Sequence, residues 1–447
     1  MNFENIGLHV PIILLPKQGI DLGKWAVIAC DQYTSQPEYW EKVEQRVDGH
    51  PSTLSLIYPE VYLESADQEQ RIRTIQETMR QFLADGTLVP QKPGFILVDR
   101  QTSRTPSRKG LVVALDLEHY DFREGSKTLI RATEGTIIER LPPRVKVREN
   151  APIELPHIMV LIDDPDKTVI EPLFAKPLEP IYDTPLMMDG GRVKGYSITD
   201  EGLIAEIARA IARLAWPDGG QKKESAPTPD ALLFALGDGN HSLATAKVIW
   251  ERLKAGAEDK QAIMDHPARY VLVELVNLHD EGLEFEAIHR VVFNADGERM
   301  LGGMQQFFGE AGTGLSYQTC STLDEAKAIA GEQHGARTQV IPFLTKNQCG
   351  ALFLERPIFS LEVASLQAFL DDYLKMNPAV EIDYIHGESA VIELGKRSGA
   401  MGFLLPALSK FQLFKSIELD GALPRKTFSM GEADEKRFYL ECRRISR

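Results

Sequence analysis

Apolar and polar positions along this chain follow two periods, and together they predict a mixed fold. The short apolar runs Trp25–Cys30, Gly94–Asp99, Lys109–Leu117, Leu232–Leu236 and Tyr270–Val276 predict strands, as do Ala390–Leu394 and Gly402–Leu405. Ile158–Ile162 is apolar at every position and closes on Asp163-Asp164-Pro165, as a central strand covered on both faces would. Helical spacing puts Ile72, Ile75, Met79 and Phe82 on one face of Asp67–Leu83, and returns over Asp200–Ala215 and Leu243–Leu253. Pro37 opens a further helix, in the first turn, where its missing N–H costs little.

Asp189-Gly190-Gly191 predicts a hairpin turn, and the polar stretch from Trp216 to Pro229 an exposed loop. Strand, helix and strand between 232 and 276 predict a βαβ unit with a parallel pair. The chain has no internal repeat and no low-complexity tract. The reading is α/β (mixed α+β) throughout. A working division gives residues 1–220, 221–300 and 301–447, without one obvious linker.

Composition narrows the classes of function. The 447 residues carry 50 Lys and Arg against 65 Asp and Glu, a net charge of -15. That surface repels nucleic acid and anionic lipid overall, although a local basic pocket would still hold one phosphate-bearing ligand. No apolar run approaches the length of a membrane span, and the first residues lack the pattern of a signal peptide. Cys30, Cys320, Cys349 and Cys442 are scattered without a CxxC pair, which points to a reducing, cytoplasmic setting. The expected partners are a small-molecule substrate and a nucleotide, with no nucleic acid, no membrane and a homodimer allowed.

The sharpest constellation is Gly237-Asp238-Gly239-Asn240-His241-Ser242, where an apolar run meets two glycines and a helix start. Glycine lets backbone N–H groups approach a ligand closely, and a helix N-terminus adds unpaired donors and the positive end of a dipole. Asp238 and His241 supply a carboxylate and an imidazole at a strand end, where α/β folds usually place ligands. Neither the P-loop nor the dinucleotide spacing is present. The competing reading is a tight turn in which Asp238 or Asn240 caps the helix.

A second cluster, Arg131-Ala132-Thr133-Glu134-Gly135-Thr136 with Arg140 and Arg144 downstream, offers arginines suited to phosphate or carboxylate and Glu134 as a base or metal ligand. Its plain alternative is a helix start capped by Thr133. His289-Arg290 and Arg425-Lys426-Thr427 are candidate anion contacts, or simply polar positions beside a strand and in a loop. His386-Gly387-Glu388 and Asp31–Ser35 carry the same two readings.

Taken in order, these segments resemble domain-of-unknown-function family 1015 over essentially the full length. That family's Asp-Gly-His-His-Arg segment corresponds to Asp238-Gly239-Asn240-His241-Ser242, and its His-Glu-x-Thr signature to Thr133-Glu134-Gly135-Thr136. Its Asp-x-Gly-Leu, His-Arg and Pro-x-Lys-Ser/Thr elements match Asp280–Leu283, His289-Arg290 and Pro424–Thr427. The first signature resembles the nucleotide-binding loop of the ParB and sulfiredoxin superfamily, and related members resemble kinases of free L-serine.

The resemblance implies a ParB/sulfiredoxin-like core and ATP-dependent phosphoryl transfer, with Mg²⁺, to a small hydroxyl metabolite. It implies nucleotide contacts from Gly237, Gly239, Asn240, Ser242, Arg140 and Lys426, and catalytic roles for Glu134, His241 and Asp238. Asp238 would also be the metal ligand, and Thr136, Arg131, His289 and Arg290 would meet the substrate. The chain departs from the pattern at Asn240, Ser242 and Thr133, where the family has His, Arg and His. Those departures favour the alternative function, a non-catalytic nucleotide or metabolite sensor acting through a protein partner.

Overall fold

A computed structural model describes residues 2–123, 125–215, 231–335 and 337–447. The loop expected over 216–229 lies outside the described residues. Chain packing forms two units, 1–284 with 431–447, and 285–430. This differs from the three consecutive segments read from the sequence, because the last residues return to the first unit.

In the first unit the main strands are β1 (Phe95–Gln101), β2 (Arg108–Asp116), β3 (Ile130–Ala132), β4 (Met159–Ile162), β5 (Glu179–Pro185), β6 (Arg192–Ile198), β7 (Phe234–Asp238) and β8 (Tyr270–Asn277). They line up as β5-β6-β1-β2-β8-β4-β7-β3 in one sheet. Side chains that alternate along a strand point to opposite faces, and β1 divides accordingly. Ile96 and Val98 join a core with the helices α1 (Pro37–Val47) and α2 (Gln68–Ala84). Phe95 and Leu97 join a second core, on α4 (Glu201–Leu214) and α5 (Asn240–Gly256); α3 (Leu141–Arg148) precedes these two in the chain. With helices over both faces, β4 and β8 are buried at every position, which accounts for the unbroken apolar runs.

The expected parallel pair between β7 and β8 is not formed. β4 lies between them, antiparallel to β7 and parallel to β8. Two 3-10 turns after α5, Ala262–Asp265 and Pro267–Arg269, deliver the chain back to the edge that β7 has just left. Alternation of elements predicts a crossover, but only register decides which strand fills the neighbouring slot. The parallel partner of β7 is β3, with Leu236 opposite Ala132.

The C-terminal residues complete this unit. Phe438–Tyr439 pairs with Val27–Ile28, and Cys442–Arg444 lies between Ile13–Pro16 and Ile153–Glu154. Trp25 belongs to a helical turn, Leu22–Trp25, so the strand expected over Trp25–Cys30 shortens to Val27–Ile28.

The second unit is an antiparallel sheet of β9 (Phe285–Phe293), β10 (Gly314–Cys320), β11 (Thr338–Thr345), β12 (Cys349–Glu355), β13 (Glu381–His386), β14 (Ala400–Phe403) and β15 (Phe428–Met430) with helices around it. Ala390–Leu394, expected as a strand, lies within the helix Glu388–Gly395. Val391 and Gly395 are its buried positions, a spacing of four that suits a helix as well as a short apolar run suits a strand. None of the helices described is long and apolar enough to cross a membrane, and the four cysteines are free thiols.

Candidate functional site

Because β3 and β7 run parallel, both carboxyl ends open on one edge of the sheet, and the two motifs become neighbours. Thr133 donates its hydroxyl proton to the Leu236 carbonyl at 2.6 Å. The Ile137 N–H donates to His241 Nε2 at 3.4 Å. Glu134 and Thr136 thus lie in the loop beside the Asp238 motif, both partly buried.

At the start of α5, Gly239 takes φ +81°, in the left-handed region, and no side chain caps the helix. A Cβ on Gly239 would lie 3.0 Å from Ile158 Cα, so the residue is held to glycine by conformation and by space. The expected alternative, a helix capped by Asp238 or Asn240, is not formed. The Asp238 carboxylate instead accepts the Gly239 N–H at 2.8 Å and pairs with Lys436 Nζ at 3.1 Å. Burial acts to raise the Asp238 pKa. The charge and hydrogen bond of Lys436, with help from His157 and the Gly239 N–H, outweigh it and hold the carboxyl below the ordinary carboxylate range.

His157 stands just before β4 with its side chain 9% exposed. Its Nε2 lies 2.8 Å from Ser242 Oγ and its Nδ1 2.7 Å from the Tyr439 hydroxyl. The Tyr439 hydroxyl receives the Cys30 N–H and reaches Cys30 Sγ, both at 3.2 Å. Asp31 Oδ2 is 3.8 Å from His157 Nε2. Cys30, His157, Ser242 and Tyr439 line one cavity with the ion pair of Glu60 and Arg144, whose charged atoms are 2.5 Å apart. Leu56, Ile57, Leu63, Met79, Val147 and Leu155 form its apolar wall. Burial raises the Glu60 pKa, Arg144 opposes that rise and Asp31 adds to it.

The remaining sequence candidates have other settings. Arg131 is buried in β3, and its Nε donates to the Thr128 carbonyl. Arg140 is exposed on the 3-10 turn before α3 and its carbonyl accepts from Arg144. Gly237 and Asn240 flank the bend into α5, both partly buried.

His289, Arg290 and Lys426 belong to the second unit. There the Arg290 guanidinium is fully buried and donates to Gln367 Oε1 and to the carbonyls of Ile288 and Lys426. His289 Nδ1 accepts the Leu405 N–H.

Sequence reasoning missed His157, Lys436 and Tyr439. His157 had a readable signal, as the polar residue at the mouth of the apolar β4 run. Lys436 and Tyr439 had none, since pairing of the C-terminal strands alone carries them to this edge.

No group of three or more His, Cys, Asp or Glu side chains placed to hold a metal occurs among the described residues. A mixed sheet with helices on both faces, and a cavity lined by His157, Ser242 and Tyr439, is the class of protein that this geometry defines. The family described as "Protein of unknown function (DUF1015)" matches residues 14–373, and the chain belongs to that family. No curated protein matches the sequence. Among solved structures, "Free serine kinase in complex with AMP" is 11% identical with a TM-score of 0.39, covering 75% of this chain and 91% of that one. A conserved hypothetical protein from Pyrococcus furiosus is 10% identical, with a TM-score of 0.36 and coverages of 75% and 95%. SbnI with a C-terminal truncation, from Staphylococcus aureus, is 9% identical, with a TM-score of 0.36 and coverages of 75% and 87%.

Proposed function

We propose that this chain binds a nucleotide at the start of α5, on a ParB/sulfiredoxin-like core, and transfers a phosphoryl group from ATP to a small hydroxyl metabolite such as free L-serine. The observation that carries the reading is the uncapped N-terminus of α5, opened by Gly239 and flanked by Lys436 and His157. The positive end of the helix dipole, with a cation beside it, suits a phosphate.

In this reading the phosphates lie at the first turn of α5, with Lys436 and Arg140 adding charge. Mg²⁺ asks for one or two protein carboxylates when phosphates supply the rest. Asp238, held ionised, fits that demand and would be the protein ligand. When bound, the ion would neutralise charge on the phosphates. Glu134 is the proposed base for the acceptor hydroxyl, and His241 keeps the Glu134 loop in place through Ile137. Phosphoryl transfer rests mainly on positioning and charge neutralisation, and these residues serve those ends.

The test is ADP release by the purified chain with ATP, Mg²⁺ and a panel of hydroxyl compounds that includes free serine. Turnover stimulated by one acceptor supports the reading. Calorimetric ATP binding with no turnover on any acceptor would refute catalysis and leave the sensor that Asn240 and Ser242 favour.

A further inference from the structure

Ser242 carries a hydroxyl at a position where the resembled family signature has arginine, and the fold gives that hydroxyl a base. Ser242 Oγ lies 2.8 Å from His157 Nε2, and the far side of the ring is fixed by Tyr439 at 2.7 Å. The Tyr439 hydroxyl directs its proton to Cys30 Sγ. In the tautomer that carries its proton on Nδ1, that proton goes to the Tyr439 oxygen and the Nε2 lone pair faces Ser242. A nucleophile, a base and a group that orients the base form the constellation of covalent catalysis. Ser242 and His157 both line the cavity described above.

We propose that Ser242 is a nucleophile that receives the phosphoryl group before the acceptor does. The proposal rests on the nucleotide reading above. Ser242 Oγ attacks the terminal phosphorus of ATP and its proton passes to His157 Nε2. The Oγ–P bond forms, the bond from that phosphorus to the bridging oxygen breaks, and ADP leaves with the electron pair. In the second half the acceptor hydroxyl, deprotonated by Glu134, attacks phosphoserine 242. Its O–P bond replaces the Oγ–P bond, and Ser242 Oγ recovers the proton from His157.

The full chain is incubated with Mg²⁺ and ATP labelled in its terminal phosphate, without acceptor, and the label is mapped by peptide mass spectrometry. ATP affinity of the same preparation is measured by calorimetry. Label on Ser242 that is discharged by an acceptor supports the proposal. Ser242→Ala should abolish the label, and His157→Gln should slow labelling roughly 10²–10⁴-fold. Mapping on the wild-type chain keeps the result independent of whether either variant folds. ATP binding with no label, or with label only on another residue, overturns the covalent step and spares the nucleotide reading. Absence of ATP binding overturns both.

Discussion

Lys436 Nζ lies 3.1 Å from Asp238 Oδ2, which fastens the C-terminal segment to the loop that opens α5. The depressed Asp238 pKa follows chiefly from this contact. As the pH falls, the unfolded chain, at the ordinary 3.8, takes up its proton before the folded one does. The stabilisation is therefore present above that value and is lost as the pH drops through the lower folded value. Lys436→Met should cost about 1–3 kcal/mol at pH 7. Urea midpoints should show the gap between wild type and variant narrowing below pH 4. A gap that stays constant with pH would remove the ion pair as its cause.

Gly239→Ala tests whether the start of α5 is a phosphate site. A left-handed conformation costs an L-residue about 1–2 kcal/mol, and the contact with Ile158 adds to it. The melting temperature should fall, and calorimetry should show ATP affinity lower by at least about tenfold, or 1.4 kcal/mol. A lower melting temperature with full affinity would place the phosphate elsewhere.

His9 should make the fold sensitive to mild acid. Its ring stacks on Tyr270 with centroids 3.8 Å apart. Burial, then the charge of Arg443, holds its pKa down at about 3 from 6.5. Between those values the unfolded chain binds more protons, so stability falls by about 1.4 kcal/mol for each pH unit below 6.5. His9→Phe keeps the stack and removes the titration. From pH 7 to pH 5 wild type should lose about 2 kcal/mol more than the variant in urea denaturation. Parallel losses would reassign the effect to other groups.

Arg290 holds the second unit together through its buried guanidinium, which also lies 4.5 Å over the Tyr384 ring. Lysine has no planar fork to serve Gln367 Oε1 and two carbonyls at once. Arg290→Lys should lower stability by on the order of 3 kcal/mol, read as a shift of the denaturant midpoint. A shift near zero would show that these hydrogen bonds contribute little.

The sequence by itself determined the mixed α/β class, the longer helices and several strands of the first unit, and the glycine-bounded start of α5. These are local properties: apolar period, turn chemistry and the conformational freedom of Gly239 are written within a few residues. It also named the Glu134 and Asp238 motifs, but left open whether their loops are neighbours. The parallel pairing of β3 with β7 decided that, by placing two strand ends on one edge. Tertiary structure alone decided that β4 separates β7 from β8, that Arg290 is buried within the second unit, and that Lys436 and Tyr439 reach the α5 loop. Each depends on register or chain return between residues far apart in sequence, and no local pattern records which distant strand will fill a given slot.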